Sequence, residues 1–203
     1  MMKKQNIQTN YSNGSNIFFT SDTHFDHTNI IGFCNRPFKS IEEMNETIIS
    51  NWNNKVGKDD IVFHLGDFSF GNGNAKQFID KLNGKIILIM GNHDFKNLKQ
   101  KDLELFYHYS QQMFIKIEGR KIYLNHNPFL CYGGTYRREG DEVWQLFGHV
   151  HSGPYSKDGL DNERLKMLFP FQYDVGVDNN NFTPISFYEL KDKITEQIKN
   201  YKK

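Results

Sequence analysis

The chain is expected to fold as an α/β domain, with a parallel sheet built by its first half and a strand-rich second half. Two observations predict this. Three strand-length apolar runs, residues 16–21, 61–65 and 86–90, alternate with two stretches of helical spacing, which is the βαβ order of a parallel sheet. Each run then stops at polar residues: Asp22-Thr23-His24 after the first, Gly66-Asp67 after the second, Gly91-Asn92-His93-Asp94 after the third. Carboxylates and imidazoles gathered at the carboxyl ends of parallel strands stand where such sheets bind ligands.

The elements follow in order. The first strand delivers Asp22 and His24, which lie two apart on extended backbone and so point the same way. Ser40 opens a helix, with Glu43 as its capping-box partner; Ile41, Met44, Ile48, Ile49, Trp52 and Val56 continue it at helical spacing, and Gly57 ends it. Asn74 with Gln77 marks the start of a shorter helix through Phe78, Ile79 and Leu82 that stops near Gly84. Residues 98–108 have helical character. Residues 113–117 and 121–125 read as a hairpin turning at Glu118-Gly119-Arg120, and its second strand runs into His126. Residues 144–147 form a strand ending in Gly148-His149-Val150-His151; residues 173–177 and 185–188 are two more strands, and the tail from Lys191 is a surface helix.

A length of 203 residues is enough for one buried core, so residues 16–203 are expected to form a single domain behind a loose, flexible extension over residues 1–15. A net charge of +1 gives no reason to expect nucleic acid or an anionic membrane as partner. Cys34 and Cys131 are far apart and form no C-x-x-C pair, which predicts buried, inert thiols in a reducing compartment. The polar opening residues lack a signal-like apolar stretch, and no later run is long enough to span a bilayer. The cytoplasm is the expected location, and the oligomeric state is open.

The chemistry comes from counting. Asp22, His24, Asp67, Asn92, His126, His149 and His151 make seven donors, too many for one tetrahedral zinc and suited to two divalent ions about 3.5–4 Å apart. Such a pair needs an anion between the ions to offset their repulsion. Asp67 is the natural bridge, because the glycine before it lets the backbone come close. Two dications bring +4 and the two aspartates return −2, so the centre keeps about +2, which favours an anionic phosphoryl group.

In the order D-x-H, G-D, G-N-H-D, a lone His and G-H-x-H, the chain resembles the calcineurin-like metallophosphoesterases from Ile17 to about Leu190. The surrounding Cys34-Asn35-Arg36-Pro37-Phe38 and Val175-Gly176-Val177-Asp178 look like a small bacterial or phage branch. The resemblance implies a two-sheet β-sandwich flanked by helices, layered α/β/β/α. It implies that Asp22, His24, Asp67 and His151 hold one metal and that Asp67, Asn92, His126 and His149 hold the other, manganese first, with iron, nickel, cobalt or zinc as alternatives. It gives His93 the phosphoryl group and leaving oxygen, with Asp94 orienting its ring, while a metal-bridging hydroxide attacks phosphorus in line. The expected activity is hydrolysis of a phosphomonoester or phosphodiester. A nuclease or cyclic-nucleotide phosphodiesterase on the same core is the alternative enzyme, and a non-catalytic metal-binding interaction module is the alternative of another class.

Other residues carry two readings each. His27 either lines the site or caps the next helix. Arg36 clamps phosphate or forms a loop salt bridge. Arg137, with Arg138, rims the substrate or belongs to a solvated loop. His64, inside a strand, reads as a satisfied sheet histidine, His108 as packing, and Gly71-Asn72-Gly73-Asn74 as a turn, since no Lys-Ser/Thr follows it. His126 is followed by Asn127-Pro128, where the family pattern leads one to expect a more apolar or aromatic residue before the proline.

Overall fold

The apolar runs of the first half form parallel strands β2 (Ile17–Thr20), β3 (Ile61–His64) and β4 (Lys85–Ile89). The computed structural model describes residues 7–71, 75–130, 142–155 and 165–201. Strand β5 (His108–Ser110) extends the sheet in parallel and β10 (Ile185–Ser186) closes its other edge antiparallel, giving the order β10-β2-β3-β4-β5. A second five-stranded sheet has the order β1-β6-β7-β8-β9, from Asn10–Tyr11, Gln112–Ile117, Arg120–Asn125, Trp144–Phe147 and Gln172–Asp174.

Alternation explains why the runs are continuously apolar: both faces of the first sheet are buried. Phe19, Phe63, Ile87 and Ile89 face the second sheet and pack with Ile115, Ile122, Leu124 and Leu146. Their neighbours Phe18, Val62, Ile86 and Leu88 face the other way, onto Met44, Ile48 and Trp52 of helix α2 (Ile41–Lys55). The Ser40 hydroxyl accepts from Glu43 N–H, as the cap predicts, while the Glu43 carboxylate reaches one residue further back, to Lys39 N–H. Two mixed sheets flanked by helices are the predicted sandwich.

Several boundaries differ from expectation. Residues 10 and 11, assigned to a loose extension, form β1, which pairs with β6 and buries Tyr11 in the core between the sheets. A short helix α1 (Thr28–Phe33) follows the first strand. The stretch 98–108 is not one helix: α4 (Asp94–Asn97) and α5 (Gln100–Leu103) are single turns and the segment ends in β5. The second short helix is α3 (Ala75–Ile79), and its expected cap Asn74, with Asn72 and Gly73, lies outside the described residues. Strand β9 stops at Asp174, after which Gly176 bridges to Ser21 and Val177–Asn179 form a 3-10 turn. The last helix, α6 (Phe187–Tyr201), begins four residues before Lys191, because Phe187, Leu190, Ile194 and Ile198 form one apolar stripe that seals the core between the sheets.

Candidate metal centre

All the strand ends carrying the predicted donors meet at one edge of the sandwich. Asp22 N–H donates to Gly66 O at 2.9 Å and His24 N–H to Asp67 O at 3.0 Å, which locks the loop after β2 onto the loop after β3. Gly66 has φ +101°, and a Cβ there would lie 2.6 Å from both Gly91 N and His126 Nδ1. Only glycine lets three loops crowd at this point. Gly148 does the same between the sheets: a side chain on it would collide with Ser21 and Asp22.

Within this edge the donors form two groups that share one atom. Asp22 Oδ1 lies 4.0 Å from His24 Nε2 and 3.8 Å from His151 Nε2. Asp67 Oδ2 lies 3.7 Å from His24 Nε2 on one side and 3.5 Å from His126 Nε2 on the other. His126 Nε2 is 3.0 Å from Asn92 Oδ1 and 3.2 Å from His149 Nδ1. Asp22, His24 and His151 can hold one cation, and Asp67, His126 and His149 another. Asp67 Oδ2 thus lies between the two groups.

Two features set these residues apart from an ordinary buried polar cluster. Asp22 Oδ1 and both ring nitrogens of His24 are buried without a hydrogen-bond partner, a cost that native proteins seldom bear unless something else meets it. Asp22, His24, Asp67, His149 and His151 all have positive φ, between 47° and 71°. The left-handed region costs a non-glycine residue about 1–2 kcal/mol, so the loops hold five donors in strained backbone to aim them inward.

On two of the histidines the other ring nitrogen is anchored. His126 Nδ1 donates to Leu65 O at 2.7 Å and His151 Nδ1 to Asp178 Oδ2 at 2.8 Å, leaving each Nε2 turned toward the centre. Electrostatics follow. Burial opposes a proton on His126, but the bond to Asp67 and the charges of Asp22 and Asp67 raise its pKa to about 9. His151 is likewise raised well above the usual value, against burial, by Asp22 and Asp178. Burial would raise Asp67, yet the bond and charge of His126 and the His93 N–H hold it below the normal carboxylate value. His24, buried and beside His151 and Arg36, is pushed well below the usual range. Buried carboxylates thus draw positive charge onto His126 and His151, while burial keeps it off His24 and His149, and divalent cations would meet the same demand. The donor set fits such ions.

Some predicted roles change. Asp94 does not orient the His93 ring: it is fully buried, and its carboxylate accepts from Asp67, Phe68 and Gly91 N–H at 2.8–2.9 Å. Burial and the charge of Asp67 raise its pKa to about 7, against these three donors. Asp94 ties the two central loops together. The His93 backbone N–H donates to Asp67 Oδ1 at 2.9 Å, and its half-buried ring stands 5.1 Å from that of His24. Asn92 and His149 are exposed, so solvent reaches the centre from this side.

Of the two readings of Arg36, the structure shows the salt bridge. Arg36 is buried, donates through Nε and one terminal nitrogen to Asp178 at 2.8 Å each, and donates to the carbonyls of Asp22 and Thr23. Asp178 therefore links Arg36 to His151. Its motif was visible in the sequence, but only the fold brings it to the histidine. Cys34 lies in the same cluster. His27 fulfils both of its readings: Nδ1 accepts from Ile30 N–H, capping α1, while the ring lies 5.4 Å from His24 and 6.0 Å from His93. His64 is a satisfied sheet histidine, with Nδ1 accepting from Gly66 N–H and Nε2 against Thr23 Oγ1. Arg137, Arg138 and Cys131 lie outside the described residues.

Several known proteins are similar to this chain. Residues 15–178 match the family model for calcineurin-like phosphoesterases. An uncharacterized protein of Methanocaldococcus jannaschii is 37% identical over 186 residues, which cover 90% of this chain and 93% of that protein. The gene 66 protein of Mycobacterium phage L5 is 29% identical over 165 residues, 68% of this chain and 78% of its own. A crystal structure of a protein of unknown function from Aquifex aeolicus superposes with a TM-score of 0.63 at 26% identity, covering 87% of this chain and 97% of that one.

Proposed function

The chain belongs to the calcineurin-like phosphoesterase family, and from that membership and the geometry of its strand ends we propose that it hydrolyses a phosphate ester with two divalent ions bound. Asp22, His24, Asp67 and His151 would hold one ion, and Asp67, Asn92, His126 and His149 would hold the other. Nitrogen and oxygen donors without thiolate suit manganese, iron, nickel, cobalt and zinc alike, and manganese is taken first from the family resemblance. The observation that carries the reading is the buried, partnerless trio of Asp22 Oδ1 and the two His24 ring nitrogens beside Asp67 Oδ2.

When bound, the ions supply Lewis acidity at the phosphoryl oxygens and lower the pKa of water. The chain's own groups do the rest. Asp67 offers one oxygen to both groups of ligands and fixes the other on His93 N–H, so the ligands and His93 keep one register. The His93 ring, at the open side of the centre, donates a proton or hydrogen bond to the leaving ester oxygen. Asn92, being neutral, leaves the excess positive charge that attracts the anionic substrate. Among the described residues no helix is long and apolar enough to cross a membrane, and the buried free thiol Cys34 suits a cytoplasmic setting.

The test is hydrolysis of bis-p-nitrophenyl phosphate and p-nitrophenyl phosphate by chelator-stripped protein with each metal added back. Turnover is expected only with metal, and His93→Ala is expected to lose about 10²–10⁴-fold in rate while keeping its metal content. Turnover that is independent of metal would overturn the proposal. Hydrolysis of the diester in preference to the monoester would assign a phosphodiesterase.

A further inference from the structure

Beyond the ligands, a run of aromatic rings leads outward from the centre. His27 stands between His24, at 5.4 Å, and Phe70, at 4.1 Å, and Phe33 follows at 6.3 Å from His27. Phe70 also lies 6.2 Å from the His93 ring. The edge-on and tilted packing of these rings leaves outer faces open: Phe33 is 70% exposed and Phe70 40%. Phe95, two residues after His93, is 56% exposed.

Single exposed apolar residues are ordinary. These differ in being held in place. Phe70 N–H donates to Phe25 O at 2.8 Å, and Phe33 ends α1, closed by Cys34 N–H to Ile30 O at 2.9 Å. The rings are thus presented on fixed backbone at the mouth of a polar site. A phosphoryl group at His93 would have its ester substituent near Phe70, whose ring centre is 6.2 Å from that of His93.

Resting on the phosphoesterase reading, we propose that Phe70 and Phe33 form a stacking subsite for a planar aromatic group carried on the phosphate, so that the substrate is an aromatic phosphoester of small size. A π-face accepts any flat ring with little regard to its edge. A nucleobase and a simple aryl group share that chemistry. A polymer is disfavoured, since tracking a nucleic-acid backbone needs an excess of Lys and Arg that a net charge of +1 does not supply.

The test uses the full chain reloaded with manganese and three methyl phosphodiesters that carry no other ring and whose second ester is a primary alcohol in each: thymidine 5′-, 2-phenylethyl (the phenyl ester) and ethyl, with the released products measured by chromatography. The thymidine and phenyl esters should exceed the ethyl ester in kcat/KM by about 10-fold or more, within the range that stacking one ring supplies. That ratio should fall at least about 5-fold in Phe70→Ala and Phe33→Ala and persist in Phe70→Tyr. Thymidine well above phenyl identifies a nucleobase, and equality identifies an aryl group. A ratio near one in the native chain, or one unchanged in both alanine variants, overturns the subsite while hydrolysis of the ethyl ester leaves the phosphoesterase reading standing. Should no ester be turned over, equilibrium dialysis of thymidine 5′-monophosphate against ribose 5-phosphate decides. Tighter binding of the nucleotide, lost in Phe70→Ala, supports the subsite, and equal binding overturns it. A dimer in light scattering that dissociates in Phe33→Ala would also overturn it, by assigning the rings to a second copy.

Discussion

Replacing Asp178 by Asn should damage both the fold and the metal centre. The carboxylate takes two hydrogen bonds from Arg36 and one from His151 Nδ1, all at 2.8 Å, and the Arg36–Asp178 pair is shielded from solvent. Asparagine keeps the shape but has one acceptor oxygen, so its NH₂ must face an Arg36 or His151 donor. It also leaves the guanidinium charge without a counter-ion. Breaking a buried pair from one side costs about 3–5 kcal/mol, and for a domain of this size each kcal/mol lowers Tm by about 2–4 °C. A loss of roughly 6–20 °C is expected. With His151 no longer held, affinity for metal should fall about 10–100-fold. Differential scanning fluorimetry of the metal-free protein and calorimetric titration with Mn²⁺ measure the two effects separately. Arg36→Met combined with Asp178→Asn should recover part of the Tm, because the unpaired charge is gone, without restoring affinity. A Tm within about 2 °C of the parent together with unchanged affinity would refute the reasoning.

Three further outcomes follow from the same contacts. Asp94→Ala removes the acceptor of three backbone N–H groups, and should cost about 3 kcal/mol in denaturant unfolding while weakening metal uptake measured by titration. His64 is buried with its pKa lowered to about 3, chiefly by burial. The unfolded chain protonates it below pH about 6.5, so its contribution is full above that pH and is lost as pH falls toward 3, by as much as about 5 kcal/mol. Tm of chelator-treated protein from pH 7 to 5 should therefore fall more steeply in the parent than in His64→Gln. Asn92→Asp adds a negative charge to the centre; it should retain or tighten metal binding while raising KM for an anionic ester, read from steady-state kinetics.

The sheet and the donors were legible because their signals are local. A continuous apolar run ending at Gly66 or Gly91 announces a strand buried on both faces and a loop where chains crowd, and the structure bears out both. What was left open for Arg36 and misread for Asp94 shares a cause. Arg36 and Asp178 are 142 residues apart and Asp94 is 27 from Asp67, so which polar groups they satisfy depends on tertiary contact. Asp94 adjoins His93 in sequence, which suggested a ring contact, yet the turn of α4 directs it inward to backbone N–H groups. Tyr11 lies in a polar stretch that reads as a loose end, and only the open edge of β6 gives it a partner. The left-handed backbone of five donors was not read from the sequence, because Asp and His enter that region more readily than most residues but which of them do so is decided by the loops packed around them.

The central claim is that Asp67 joins two metal ions that the chain uses to hydrolyse phosphate esters. Its most direct test counts bound manganese by plasma mass spectrometry while following bis-p-nitrophenyl phosphate hydrolysis, in the parent and in Asp67→Asn, as metal is restored to stripped protein. The account predicts close to two ions per chain in the parent, with the rate rising as the second is filled, and loss of both ion and rate in the variant. Two ions and full rate in Asp67→Asn, or full rate in the stripped parent, would contradict it.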